Sequence, residues 1–520
     1  MAHLCVAIFV TDLAQAQRDV ATAAEAGADM VELRIDELTD ATLVVGVVKA
    51  ATLPAIVTCR PTWEGGQSTL TDAERLDLLT KATEAGASYI DIELETFRRA
   101  GGLPGEWGTT PREQRAGVFV SSHDFAGRPA RLTTTLSELY AAPADVTKII
   151  WTARTVRDNL EAFEILQRRV KPTIALCMGE AGLISRVLAK KFGAFLSFAA
   201  LKAGGGTAPG QVGVADMKRL YRWDALGAKT KVYGVVGSPV AHSMSPAIHN
   251  AGFDAAGFDG VYLPLLVNEG YESLKAFMES FVPFEGLDLS GLSVTIPHKE
   301  NALRYLQEKG GEIEPLAASI GAVNTIVIDR ADGSIKLRGL STDYAAILDS
   351  ITAKLGISRE KLADYRIAVI GAGGTGRTAV AALAHYGATV VVYNRTFERA
   401  EALASEFNGR TGKVVAARME KLCDSCCQIY LNTTSVGMHP NVGQSAWGDA
   451  PPTLDAESVV FDTVYNPMKT KLLVQAETAG AKTIGGVEMF VRQAAAQFEA
   501  WTGKPAPVEM MRHVVEKRLA

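Results

Sequence analysis

No apolar run in this chain reaches the ~18 residues that a membrane-crossing helix needs. Positive charge is not in excess either. Lys and Arg number 53 against 58 Asp and Glu, a net charge of −5, which gives no basis for non-specific nucleic-acid binding. Cysteine is scarce, with six in all. Cys5, Cys59 and Cys177 lie inside apolar, strand-like runs and read as small buried hydrophobes. Cys423, Cys426 and Cys427 lack a second cluster of ligands at zinc spacing, so no metal site is expected. Internal repeats and low-complexity segments are missing too. No charged leader or cleavage site precedes the first apolar run, HLCVAIFV. The expectation is a protein of a reducing compartment, the cytoplasm; a plastid address would require a transit peptide already removed.

What is present is ordinary globular composition, 48% hydrophobic and 21% charged, in a chain too long for one core. At about 100–200 residues per domain, three domains are expected. The first 220 residues alternate apolar strands with helical patterns. The strands are HLCVAIFV, DMVELRID, AIVTCRP, YIDIELE, AGVFVSSHD, VTKIIWTA, TIALCM and FLSFAAL. Eight strand-then-helix units predict an α/β fold of the (β/α)8 TIM-barrel type. An open doubly wound sheet alternates in the same way, but this stretch has no nucleotide loop. After a charged junction at about Arg222 to Lys231 a smaller α/β unit begins at VYGVVG, and a third opens at YRIAVIGAGGTGR. The last 36 residues, from GGVEMFVRQ, form an amphipathic helical tail. The expected domains are 1–222 for the barrel, 231–341 with 486–520 for a substrate-binding domain, and 342–485 for a Rossmann domain.

Barrel sites form where the strands end at the C-terminal face. Glu32, Arg34 and Asp36 come from the second strand, Arg60 from the third with Glu64 in its loop, and His123 from the fifth. Lys148 is on the sixth strand, Arg186 after the seventh, and Thr207 and Gln211 after the eighth. If Ile150 and Thr152 point inward, period-two alternation turns Lys148 inward as well. A desolvated lysine has a lowered pKa and becomes a nucleophilic amine able to form an imine with a ketone. His123 is a natural proton carrier, and the arginines could hold an anionic substrate. Singly, each has a plain structural reading: a solvated lysine, a structural histidine, surface salt bridges. Their convergence on one barrel face is the signal.

The segments VELRID, TCRPTWEGG, SSHDF, VTKII, MGEAGLISR and TAPGQ resemble, in this order, the type I 3-dehydroquinate dehydratases. The resemblance implies that Lys148 forms the imine with the substrate C3 ketone. His123 would take the C2 proton and later protonate the departing C1 hydroxyl, with Glu64 orienting it. Glu32, Arg34, Arg60, Arg186, Thr207 and Gln211 would bind hydroxyls and carboxylate. Thr207 and Cys177 stand where the family commonly has Ser.

Gly371-Ala372-Gly373-Gly374-Thr375-Gly376 follows an expected strand and opens an expected helix, the context in which GxGxxG marks a dinucleotide loop. An NAD site usually carries an acidic residue about 20 positions on, for the ribose 2′-hydroxyl. Asn394, Arg395 and Thr396 occupy that place, with Arg399 a turn later, which favours NADP. The middle unit offers Ser243 and Ser245, Thr295, Lys299, Asn324, Thr342 and Asp343. Lys299 and Asp343 are the pair expected to pass a proton to a forming alkoxide; a structural ion pair is the alternative.

These segments, with NTTSVGM, VYNPMKTKLL and GGVEMFVRQAAAQFEAW, resemble a shikimate dehydrogenase from residue 232 to the end. That similarity implies that Ser243 and Ser245 bind the substrate carboxylate. Thr295, Asn324, Tyr465 and Gln493 would contact ring hydroxyls or line the site, and Gly486 and Met489 would lie near the nicotinamide. Ser341 stands where Asn is common in that family. The order of the fusion resembles the bifunctional plant-type enzyme, the first half making the substrate of the second. The expected partners are small-molecule substrates, with neither nucleic acid nor membrane. Three other readings remain: a quinate-preferring second half, a Schiff-base aldolase fused to an unrelated NADP oxidoreductase, and a non-catalytic metabolite sensor.

Overall fold

The computed structural model describes residues 2–103, 107, 110–202, 210–331, 333–409, 411–449 and 451–519. The expected site residue Thr207 lies outside them. Eight parallel strands come first: β1 (His3–Phe9), β2 (Met30–Arg34), β3 (Ala55–Thr58), β4 (Tyr89–Glu93), β5 (Gly117–Asp124), β6 (Val146–Thr152), β7 (Thr173–Met178) and β8 (Leu196–Ala200). Their spatial order is β7-β6-β5-β4-β3-β2-β1-β8. No ladder joins β7 to β8 among the described residues; the Phe195 amide donates to Thr173 O across that seam at 2.9 Å.

These strands exist because nearly every side chain on them is covered. β2, β3, β7 and β8 are buried at every position, as expected of parallel strands wrapped by helices. Each buried Val, Leu or Ile contributes about 1.5–3 kcal/mol. The helices begin where the sequence supplies caps. Asp12 and Asp40 accept from backbone amides of the first turns of Leu13–Glu25 and Ala41–Ala50. Thr71 and Glu74 form a reciprocal capping box at the start of Asp72–Glu84.

Packing divides the chain into two compact units, Met1–His242 with Asp259–Asn268 and Glu272–Leu289, and Ser243–Phe258 with Glu269–Tyr271 and Ser290–Ala520. The first unit also holds the parallel pair β9 (Lys231–Gly237) and β10 (Gly260–Leu266). In the second, β11 (Leu289–Val294) pairs antiparallel with β13 (Thr325–Ala331). β13 turns back into β14 (Ser334–Leu340), and β14 pairs in parallel with the short β12 (Glu312–Ile313).

The Rossmann sheet follows in parallel: β15 (Arg366–Ile370), β16 (Thr389–Tyr393), β17 (Lys413–Ala417), β18 (Ile429–Asn432), β19 (Val459–Asp462) and β20 (Lys482–Ile484). Its order is β17-β16-β15-β18-β19-β20, the doubly wound 3-2-1-4-5-6 arrangement. Val and Ile of β15, β16 and β18 pack with Ala379 to Ala384 of the helix Gly374–His385 in one core. The C-terminal tail is two helices, Gly486–Thr502 and Val508–Leu519, separated at Gly503, which takes the left-handed conformation that glycine adopts at least cost. No helix among the described residues is long and apolar enough to cross a membrane.

Candidate active sites

Alternation along the barrel strands turns a set of charged side chains inward. Lys148 is buried in the middle of β6, its Nζ 2.8 Å from Asp91 Oδ2 on β4 and 3.2 Å from Glu32 Oε1 on β2. Its ammonium also sits over the Phe198 ring, 4.6 Å from the centroid. Arg60 reaches Asp91 at 2.9 Å, Glu93 at 2.8 Å and Ser121 Oγ at 2.8 Å. Arg75, buried on the helix Asp72–Glu84, holds the other oxygen of Glu93 at 2.7 Å and donates to Thr96. Signs therefore alternate from Arg75 through Glu93, Arg60 and Asp91 to Lys148. That alternation is what makes so many buried charges tolerable.

The β5–β6 register puts Ser121 opposite Lys148 and His123 opposite Ile150, so His123 stands one inward position closer to the strand ends. Glu64 accepts from the His123 amide at 3.0 Å and lies 2.8 Å from its Nδ1. Burial, with the positive charges of Arg60 and Lys148, holds the imidazole well below its ordinary value. It is therefore neutral at neutral pH, the form a base requires. Burial pushes the Glu64 carboxyl up to about 8, against the pull of Arg60. Burial would also raise Asp91, but Arg60 and Lys148 outweigh it and keep that carboxylate far below the usual range.

Arg34 forms a two-point pair with Asp36, which also accepts from the amides of Arg60 and Gln67. Arg186 is different. It is 2% exposed and its guanidinium has no carboxylate partner among the described residues; its Nε makes no hydrogen bond. Burial lowers it to about 10. An unpaired buried guanidinium in a pocket is a seat for an anion. Glu32, Arg34, Arg60, Glu64, His123, Lys148, Arg186 and Gln211 line one pocket, together with Phe125, Ile150, Met178 and Phe198. The expected barrel residues thus converge, apart from Thr207, which is not described. Asp91, Glu93 and Arg75 were not anticipated. Asp91 and Glu93 sit at i and i+2 on the buried β4, and Arg75 is on the buried stripe with Leu78, Leu79 and Ala82.

In the second unit Lys299 Nζ is 2.6 Å from Asp343 Oδ2, with both side chains partly exposed. Each opens a helix, Lys299–Glu308 and Thr342–Leu355. A carboxylate in a first turn is favoured by the helix dipole. Asn324 donates to Thr342 Oγ1 at 3.0 Å and accepts from the Thr342 amide at 2.8 Å, which fixes the residue before Asp343. Gln497, also unanticipated, is buried behind them, donating to Thr325 Oγ1 at 3.0 Å and accepting from Ser293 Oγ at 2.8 Å. Ser243 Oγ accepts from the Ser245 amide at 3.2 Å, tightening that turn at the start of Ser245–Ala255. Tyr465 stacks on Phe490, 5.1 Å between centroids, and Gln493 donates to Phe490 O. Thr295 O accepts from the His298 amide in the turn before Lys299.

The glycine loop tests whether a dinucleotide fits. Gly371 has φ +114, and a Cβ there would come within 2.7 Å of Thr433 Oγ1. A Cβ on Gly376 would be 2.1 Å from Gly371 O, so the helix can approach the strand this closely only through glycine. Cβ atoms on Gly373 and Gly374 would meet nothing within 4 Å, so this backbone faces open space at the helix N-terminus. Asn394 ties the loop to β16 by accepting from the Ala372 amide at 3.1 Å. Arg395 and Arg399 are exposed and form no ion pair among the described residues. Open backbone amides beside free guanidiniums fit a phosphorylated dinucleotide. Gly486 packs against Val464, where a Cβ would be 2.5 Å from the backbone, and Met489 packs on the Rossmann core. Among the described residues no group of three or more His, Cys, Asp or Glu could hold a metal ion.

A lysine-centred barrel joined to a two-part dinucleotide-dependent dehydrogenase is the class these features define. Residues 4–228 match the family model for type I 3-dehydroquinase. Residues 235–326 match the shikimate dehydrogenase substrate binding domain, 353–442 the shikimate / quinate 5-dehydrogenases and 486–516 the shikimate 5′-dehydrogenase C-terminal domain. The chain is 39% identical to the chloroplastic bifunctional 3-dehydroquinate dehydratase/shikimate dehydrogenase of Arabidopsis thaliana, over 99% of this chain and 84% of the relative. It is 40% identical to a shikimate dehydrogenase (NADP(+)) of Methanosarcina barkeri over 56% of this chain and 99% of that protein. A solved Thermus thermophilus shikimate 5-dehydrogenase, in complex with NADP(H) and shikimate, is 32% identical over 55% of this chain and 99% of its own, with a TM-score of 0.46. The chain belongs to the family of bifunctional 3-dehydroquinate dehydratase/shikimate dehydrogenases.

Proposed function

We propose that the barrel, residues 1–222, dehydrates 3-dehydroquinate to 3-dehydroshikimate, and that the remainder reduces this product to shikimate with NADPH. The observation that carries the reading is Lys148, buried between Glu32 and Asp91 in the same pocket as the His123–Glu64 pair. In that pocket the Lys148 amine attacks the C3 ketone, and loss of water gives an iminium that accepts the electron pair left when C2 is deprotonated. Neutral His123 takes the C2 proton and returns it to the C1 hydroxyl, which leaves as water; a water then hydrolyses the product iminium, freeing the ketone product and the Lys148 amine. Glu64 keeps the ring oriented through Nδ1. The buried Arg186, without a carboxylate partner among the described residues, binds the substrate carboxylate, and Glu32, Arg34, Arg60, Thr207 and Gln211 contact its hydroxyls.

In the dehydrogenase half, residues 231–341 with 486–520 form the substrate domain and 342–485 the NADP domain. Bound there, NADPH supplies hydride to the carbonyl. Lys299, steadied by Asp343 at 2.6 Å, delivers a proton to the forming alkoxide oxygen. Ser243 and Ser245 bind the substrate carboxylate, which favours shikimate over quinate. Thr295, Asn324, Thr342, Tyr465 and Gln493 line the ring site. The amides of Gly371 to Gly376 receive the pyrophosphate, Asn394, Arg395, Thr396 and Arg399 the 2′-phosphoryl end, and Gly486 and Met489 the nicotinamide. None of the six cysteines forms a disulfide, which is in keeping with a reducing compartment, the cytoplasm.

The test follows NADPH oxidation after adding 3-dehydroquinate to wild type and to Lys148→Ala. The wild type consumes NADPH with either 3-dehydroquinate or 3-dehydroshikimate; the variant does so only with 3-dehydroshikimate. A Lys148→Ala protein as fast as wild type on 3-dehydroquinate would sink the imine mechanism. Comparing oxidation of shikimate and quinate tests the substrate preference.

A further inference from the structure

Directly after β17 stands an arginine, Arg418, to which the roles above give no part. β16 and β17 pair in parallel with Tyr393 opposite Ala417. Arg418 therefore leaves its strand where Asn394 leaves β16, on the same carboxyl edge of the sheet as the glycine loop. In open α/β sheets ligands bind outside that edge. The Arg418 guanidinium lies over the Phe397 ring, 4.5 Å from the centroid. Phe397 begins the helix Phe397–Phe407, directly after Arg395 and Thr396 and two residues before Arg399.

Arg395, Arg399 and Arg418 are all exposed, and none forms an ion pair with a carboxylate among the described residues. Several other arginines of this unit are paired, Arg377 with Glu406, Arg359 with Asp349 and Arg492 with Glu488. Three unpaired guanidiniums on adjoining loops repel one another, and an anion among them reverses that cost. Stacking on Phe397 also restrains Arg418 beforehand, so less side-chain entropy is lost when it is used.

We propose that Arg418 is a third cationic arm of the 2′-phosphate site and a determinant of NADP over NAD selectivity. The proposal rests on the reading of the Arg395 loop as the 2′-phosphate site. It adds a residue from the neighbouring strand, so that the phosphate is held from two loops.

Calorimetric binding to the full-length protein tests it, with adenosine 2′,5′-bisphosphate as probe and 5′-AMP as the probe lacking the 2′-phosphate. Wild type, Arg418→Ala and Arg395→Ala are compared, and thermal melting reports that each variant is folded. Arg418→Ala is expected to weaken the bisphosphate about 5–20-fold while hardly changing 5′-AMP, as loss of one screened, charge-assisted contact requires. Unchanged bisphosphate binding, or an equal loss for both probes, overturns the proposal. If Arg395→Ala also leaves the bisphosphate unaffected, the error lies in the 2′-phosphate site itself; if it abolishes selectivity while Arg418→Ala does not, only the role of Arg418 falls.

Discussion

Lys148 Nζ and Arg60 Nη2 share one oxygen of Asp91, at 2.8 and 2.9 Å, while Ser121 Oγ donates to the other at 2.6 Å. Asp91 is thus the only carboxylate in contact with both cations among the described residues, and it fixes where the lysine amine stands. Asp91→Asn would leave two buried cations facing an amide. Removing one partner of a buried pair costs about 3–5 kcal/mol, because the other charge stays behind. Dehydratase turnover is expected to fall by at least about 100-fold, the scale of a misplaced reacting group. Reduction of 3-dehydroshikimate by the same chain should persist. Parallel loss of both activities would mean general unfolding and not a displaced lysine.

The Glu64–His123 pair predicts a pH dependence. Burial raises Glu64 from 4.5 to about 8, and His123 is depressed. Above that pH the carboxylate is ionised, accepts the Nδ1 proton, and leaves Nε2 as the base. Dehydratase kcat/KM should rise through a midpoint near 8, and Glu64→Gln should remove that rise. Stability runs the other way. A carboxyl whose folded pKa is raised contributes most below the unfolded value and loses that contribution as pH climbs through the folded one. Glu64→Gln should therefore raise the melting temperature more at alkaline pH than at about pH 5. A wild-type profile flat between neutral and alkaline pH would refute the assignment.

The barrel was readable because its strands are near-continuous apolar runs with helical patterns between them, and the eight observed strands fall inside the eight expected ones. Lys148 could be turned inward by alternation, and His123 could be placed beside it on the neighbouring strand. Asp91, Glu93 and Arg75 could not be singled out in the same way, since an acidic residue on a strand or an arginine on a helix usually faces water. Only the register, which brings Asp91 across from Thr58 and Phe119, reveals the buried chain of charges. The glycine loop was legible from local context. Gln497 was not, because its partners Ser293 and Thr325 lie about 170 to 200 positions away in sequence, and no local pattern encodes such a contact.

Arg186 predicts a conflict between stability and activity. A guanidinium that is 2% exposed and faces no carboxylate among the described residues costs desolvation energy in the free protein. Arg186→Met keeps the apolar stem and removes the charge. Its barrel should melt higher than the wild type, while KM for 3-dehydroquinate rises by about 10-fold or more, the worth of a charge-assisted contact. Dehydrogenase kinetics supply the control. If Arg186→Met lowers the melting temperature instead, the arginine has a structural partner and the carboxylate seat must lie elsewhere.

Two glycines of one loop separate folding from cofactor binding. At Gly376 a methyl would be 2.1 Å from Gly371 O and 2.9 Å from Thr433 Oγ1, so Gly376→Ala must push the helix Gly374–His385 off β15. Backbone and helix would have to shift together, and overpacking of this kind typically costs about 1–3 kcal/mol. At Gly373 the methyl meets nothing within 4 Å, and φ is −88, so Gly373→Ala should fold as the wild type does. The open space at Gly373 is where the pyrophosphate must approach, and the added methyl occupies it. Gly373→Ala should therefore lose NADPH affinity at unchanged melting temperature, whereas Gly376→Ala loses both. Calorimetric titration with NADPH alongside thermal melts measures the two effects separately. If Gly373→Ala binds NADPH as tightly as the wild type, the phosphates do not pass over that residue, and the loop's second glycine serves the turn alone.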